Sequence, residues 1–174
     1  MENQTATIKS TILQFGTMLG IISVAFGLMI YFLDMHYTQE TGIGIVSILI
    51  SIGVIALAQY NFRKENEGYL SLGEALKIGL GVALVSGIIG LTYQYLLVNF
   101  IDPDTISKMM EVTKNKLMDD NPEMSEEQLE QIIGMQEKFT TPGMMVAFGL
   151  IGSLFIGFII SLITGLILKR NRPE

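Results

Sequence analysis

The sequence contains no cysteine, no tryptophan and a single histidine, and only 16% of its 174 residues are charged. Without cysteine there is no disulfide, no thiolate metal site and no cysteine nucleophile, and one imidazole leaves little for zinc or for acid–base chemistry near neutral pH. Charge is scarce beside the roughly 25% usual in soluble domains. No Gly-x-Ser-x-Gly, phosphate-binding loop or His-Glu-x-x-His pattern is present, so those hydrolase, nucleotide and zinc-protease signatures are excluded. The longest polar segment is acidic, which argues against a nucleic-acid partner.

What is abundant is apolar sequence: 49% hydrophobic residues, 18 glycines and a mean hydropathy of +0.47. Four runs, at about Ile12 to Leu33, Ile43 to Phe62, Leu76 to Phe100 and Met144 to Leu168, reach the roughly 20 residues that a helix needs to cross a bilayer. The chain reads as one all-α integral membrane domain, 1–174, of four transmembrane helices in a lipid bilayer. The first run lacks an Ala-x-Ala cleavage site and is too long for a signal peptide, so it is expected to be retained. Lys9, Arg63, Lys64, Lys77, Lys169, Arg170 and Arg172 all flank the spans on one side, which places both termini in the cytoplasm and residues 102–141 outside it. Tyr31, Tyr37, Tyr93, Tyr95 and Phe100 near the outer span ends, with Tyr60, Phe62 and Tyr69 near the inner ones, make a modest aromatic belt.

Helices in lipid gain little from hydrophobic association, so small residues that let backbones approach carry more of the packing. In the fourth span Gly149, Ser153, Gly157, Ser161 and Gly165 recur every four residues, one continuous stripe on a helix; Gly16 and Gly20, and Gly79, Ala83 and Gly87, repeat the pattern more briefly. Packing within the chain is the expected use of these stripes, and contact with a second copy or another membrane protein is the alternative. An offset of 63 residues superposes Gly16 on Gly79 and Gly27 on Gly90, a weak sign of duplicated hairpins that the second and fourth spans do not follow.

Residues 102–141 differ in kind, with ten Asp or Glu against four Lys. Ile106, Met109, Met110, Thr113 and Leu117 fall on one face of a helix that Pro103 is expected to open. Asp119-Asp120-Asn121-Pro122 breaks it, Ser125 and Gln128 form a capping box, and Leu129, Ile132, Ile133 and Gln136 trace a second stripe. Between the third and fourth spans, then, an extramembrane amphipathic helical hairpin is expected, with Met109, Met110, Leu117, Leu129, Ile132 and Ile133 as its candidate partner surface. Thr141 and Pro142 read as cap and first-turn residues of the last span.

No ionisable side chain lies in the middle of any span, which argues against proton-coupled transport. The polar residues that do enter are Gln14, Ser23, Ser47, Ser51, Gln59, Ser86, Thr92, Gln94, Asn99, Ser153, Ser161 and Thr164, read first as hydrogen-bonding partners for neighbouring helices or their own backbone. Tyr93, Gln94 and Asn99 are the candidate polar pocket. The methionines between Met109 and Met145 form no dense repeat, so no copper(I) site is expected. His36, beside Asp34 and near Glu40, is read as a solvated loop residue, and no metal or other cofactor is expected.

The run Leu70-Ser71-Leu72-Gly73-Glu74-Ala75-Leu76-Lys77-Ile78-Gly79 opening the third span, Asn99-Phe100-Ile101-Asp102-Pro103 closing it, the acidic insert, and the final Ser161-Leu162-Ile163-Thr164-Gly165-Leu166-Ile167-Leu168-Lys169-Arg170 resemble the family known as domain of unknown function 4199, found mainly in Bacteroidota. The resemblance covers nearly the whole chain. It implies a bacterial inner-membrane protein of four helices with a periplasmic insert, and it transfers no catalytic residue. The leading functional reading is a non-enzymatic accessory or assembly subunit that uses the acidic hairpin and the small-residue faces. The alternative is a small carrier or flippase-like helper for a lipid-linked or apolar substrate, which would present a lipid-accessible groove. A membrane enzyme ranks third, for want of a nucleophile with a base.

Overall fold

A computed structural model describes residues 7–38 and 40–172. Among the described residues six α-helices follow one another: α1 Ile8–Phe32, α2 Thr41–Glu65, α3 Leu72–Leu96, α4 Thr105–Asp120, α5 Glu126–Phe139 and α6 Pro142–Leu168. A five-residue π-helical turn, Leu97–Ile101, prolongs α3. Helices α1, α2, α3 with its π turn, and α6 are each long and apolar enough to cross a membrane.

The helix starts follow from local chemistry. Thr7 and Ser10, Ser71 and Glu74, and Ser125 and Gln128 form reciprocal capping boxes at α1, α3 and α5, each satisfying backbone N–H groups that the first turn leaves unpaired. At α4 the helix begins two residues beyond Pro103, with Asp104 as a cap that makes no side-chain bond. Thr141 likewise caps α6 without a side-chain hydrogen bond, and Pro142 occupies the first turn. Helix α2 ends where Glu67 and Gly68 turn left-handed (φ 56° and 86°), a conformation that suits glycine, and the Arg63 Nε donates to the Gly68 carbonyl at 3.1 Å.

Helix α3 is the centre of the bundle. Against it α6 runs antiparallel, and the two pack rung by rung: Gly149 on Leu91, Ser153 on Gly87, Gly157 on Ala83, Ser161 on Gly79 and Gly165 on Ala75. A methyl added at Gly79 would strike the Ser161 side chain, and one at Gly165 would come within 2.8 Å of Ala75 Cβ. Helix α1 lies parallel to α3, with Val85 over Gly16, Ile89 over Gly20 and Ile12 over Gly81. The small-residue stripes thus face other helices of the same chain, where dispersion contacts require close approach.

The buried residues of α1, α2, α3 and α6 all lie toward one end, that of the chain termini: Phe15 and Leu19, Val54 to Phe62, Ala75 to Ala83, and Gly157 to Gly165. At its centre the fully buried Gln59 donates from Nε2 to Ser161 Oγ (3.0 Å), the Ala75 carbonyl (3.2 Å) and the Ser161 carbonyl (3.3 Å). Ser161 Oγ in turn donates to the Ala75 carbonyl at 2.7 Å. This knot ties α2, α3 and α6 together. Toward the other end, where α4 and α5 lie, no residue of α2 from Thr41 to Leu49 is buried. Helix α2 therefore leaves the bundle as it approaches the insert.

Candidate functional site

Where α2 separates, a cleft of about 400 Å³ opens between all four spanning helices. Ser23 of α1, Ser47 and Ser51 of α2, Ser86 and Gln94 of α3 and Ser153 of α6 supply its polar atoms, and Leu19, Ile55, Leu91, Ile156 and Ile160 its apolar walls. Glycines 87, 90, 149 and 157 complete the lining and leave the space open. Among the described residues no ionisable one lines it.

Four of the five hydroxyls have a common polarity. Ser47 donates to the Ile43 carbonyl (2.9 Å), Ser51 to Ser47 (2.9 Å), Ser86 to Ala83 (3.2 Å) and Ser153 to Leu150 (2.9 Å). A serine hydroxyl has one proton and two lone pairs, so each of the four is left presenting acceptors. With the Gln94 amide and the Ser23 hydroxyl able to donate as well, the cleft is suited to a neutral guest that carries polar groups, donors above all, along an apolar body.

Of the candidate pocket residues, only Gln94 lines the cleft. Tyr93, one residue earlier and so about 100° round the helix, packs on Gly27 of α1: a methyl there would come within 2.8 Å of its ring. Asn99 is exposed in the π turn, its amide donating to the Tyr95 carbonyl at 2.8 Å. The three do not share a pocket. On the insert, Leu129 is buried, and Met109, Met110, Leu117, Ile132 and Ile133 are half-buried. Its exposed large apolar side chains are Met118, Met135 and Phe139.

The family model described as Protein of unknown function (DUF4199) matches residues 14–170. The chain belongs to that family. The DUF4199 match takes in α2 to α6 whole and most of α1, so the cleft residues and the insert all lie within it. Neither a curated protein nor a solved structure matches the chain.

A second constellation of the DUF4199 protein lies where the insert leaves the bundle. The π turn closes with the Asp102 N–H on the Leu97 carbonyl (2.8 Å), and it brings the Asp102 carboxylate onto His36 Nε2 at 2.9 Å. Lys108 Nζ donates to both oxygens of the same carboxylate, at 3.0 and 3.3 Å. His36 is not a solvated loop residue: its side chain is 4% exposed, lying between the rings of Tyr31 and Tyr37 with centroids 5.0 Å away on each side. Because the carboxylate only accepts, Nε2 must carry the proton that joins them. Hydrogen bonds from Lys108 and then His36 lower the Asp102 pKa to about 2, and the same Asp102 bond raises that of Lys108. An ammonium stands where a metal ion would have to sit, and among the described residues no three His, Asp or Glu side chains gather to hold one. The constellation is a latch joining the α1–α2 loop to α4.

Proposed function

We propose that this is a non-enzymatic membrane protein that holds a neutral, chain-like amphiphile in the serine-lined cleft, acting as a small carrier or flippase-like helper for a lipid-linked or apolar substrate. One observation carries the reading: four helices each contribute hydroxyl or amide groups to a single cleft that contains no ionisable residue and lies where α2 parts from the bundle. A volume of about 400 Å³ falls in the range of ligand pockets, roughly 300–1,000 Å³. The acceptor-rich lining favours hydroxyl or amide donors on the guest, and the opening beside α2 gives access from the bilayer. The protein sits in a bacterial inner membrane with its termini in the cytoplasm and its insert in the periplasm, as the Lys and Arg distribution supports.

Gly90 makes the test clean, because it lines the cleft and a Cβ there meets nothing within 4 Å. Native mass spectrometry of protein released from nanodiscs of native lipid should show a lipid-class adduct on the wild type. Gly90→Leu should lower its occupancy about tenfold, near 1.4 kcal/mol of binding, with thermal unfolding no lower than that of the wild type, and Gly90→Ala should retain it. An adduct held equally by Gly90→Leu, or no adduct on the wild type, would overturn the reading.

The accessory-subunit reading has its own support. Helix α5 packs chiefly on α4, and beside their turn a surface hollow of about 690 Å³ is lined by Met124, Ile132 and Met135 with Glu123 at its edge. Methionine-rich apolar surfaces adapt to partner side chains. A stoichiometric protein that co-purifies with the wild type and is lost on Ile132→Asp, in a bundle that still unfolds at the same temperature, would make docking the primary role.

A further inference from the structure

At the terminal end a separate pocket of about 430 Å³ is lined by Asn66, Tyr69, Ser71, Glu74, Arg170 and Arg172, none of which belongs to the cleft. The chain beyond α6 is held in place there. Leu70 and Arg170 exchange both backbone hydrogen bonds, at 2.9 and 2.8 Å, and Leu70 is fully buried. Arg63 donates from Nη1 to the Leu168 carbonyl at 3.2 Å, fixing the helix end from the other side.

This anchoring brings two guanidinium groups to one aromatic ring. The Arg170 and Arg172 guanidinium carbons lie 5.9 and 5.5 Å from the centre of Tyr69. Two like charges on one ring repel, and the nearby carboxylates relieve them poorly. Arg172 meets the exposed Glu67 at 3.2 Å and donates to Asn66 Oδ1 at 3.3 Å, and among the described residues Arg170 has no carboxylate partner. Glu74, which also lines the pocket, is turned onto the Ser71 N–H and hydroxyl at 2.8 and 2.7 Å, where it caps α3. In the segments that meet here, 63–74 and 168–172, Arg63, Lys64, Lys169, Arg170 and Arg172 outnumber Glu65, Glu67 and Glu74. The pocket also lies where α2 and α6 end and α3 begins, at the margin of the apolar spans. Phosphate groups of lipid lie at that level, and the planar fork of arginine matches phosphate oxygens two at a time.

We propose that the Arg170–Arg172 pocket over Tyr69 is a phosphate-binding site, filled by the headgroup of an anionic phospholipid or by free phosphate. The probes are phosphatidylglycerol, as a minor component of phosphatidylcholine nanodiscs, and inorganic phosphate added to nanodiscs of phosphatidylcholine alone. Native mass spectrometry should show retained phosphatidylglycerol on the wild type, and the double variant R170Q/R172Q should retain about tenfold less. Lys64→Gln with Lys169→Gln removes the same charge from neighbouring positions that do not line the pocket, and should change retention less than about twofold. Unchanged circular dichroism in both double variants separates lost binding from lost folding, and R170K/R172K, which keeps charge without the fork, should fall between wild type and R170Q/R172Q. If inorganic phosphate raises the unfolding temperature of the wild type in phosphatidylcholine but not of R170Q/R172Q, the site takes free phosphate. Failure of both probes, or equal losses in the two double variants, would overturn the proposal.

Discussion

At Gly79 the hydrogen of a glycine stands where nothing larger fits. A Cβ there would run into Ser161, whose hydroxyl is bound to the Ala75 carbonyl and to the Gln59 amide with no exposed surface to retreat to. Overpacking a tight core costs about 1–3 kcal/mol, and shifting Ser161 would also break the knot between α2, α3 and α6. Gly79→Val is therefore expected to lower stability by at least about 2 kcal/mol. Gly90→Ala, which meets no atom within 4 Å, should be neutral or gain up to about 1 kcal/mol from helix propensity. Thermal unfolding followed by circular dichroism in one micelle system checks the pair; equal effects of the two would mean that the α3–α6 contact does not hold the bundle.

At the scale of elements, the latch makes a prediction about pH. The Asp102 carboxyl has its pKa lowered to about 2, so its stabilising contribution is present above the unfolded value, near 4, and is lost as pH falls through the folded one. Lys108, raised by the same contact, contributes below its ordinary value and ceases to as pH rises beyond the folded one. Between these limits the insert is held. Pepsin cuts in the acid window, so the insert of the wild type should be cleaved about tenfold faster at pH 2 than at pH 4 after normalising to an unfolded substrate. Asp102→Asn should already be cleaved fast at pH 4 and change little; a wild-type profile in that variant would mean that the latch does not restrain α4. Much of the helix content is legible in the sequence, because spanning runs are long and because α4 and α5 each have one face toward water, which imposes a period. The cap pair Ser125–Gln128 is legible for the same local reason. The latch is not, since His36 and Asp102 stand 66 residues apart and meet only through a π turn that Leu97–Ile101 does not announce. Nor is the departure of α2: a helix apolar on every side carries no periodic mark of which face or which half meets its neighbours. The serines were visible one by one, whereas their convergence depends on that departure.

Across the whole molecule, a tight end and an open end coincide with a gradient of charge. The tight end carries Lys9, Arg63, Lys64, Lys77, Lys169, Arg170 and Arg172, while the open end carries the acidic insert with its four lysines among ten carboxylates. Positive charge near span ends is retained in the cytoplasm, so the tight end should face inward. The absence of cysteine permits a direct test, since a single introduced thiol has no background. Asn121, exposed at the α4–α5 turn, and Glu65, exposed at the end of α2, mark the two ends. In right-side-out vesicles an impermeant maleimide should label Asn121→Cys about tenfold or more faster than Glu65→Cys, and inverted vesicles should reverse the order. The opposite order in both would turn the molecule over, and with it the chemistry available to each site. The cleft would then open toward the cytoplasmic leaflet, and the paired arginines would face the leaflet with less anionic lipid to occupy them.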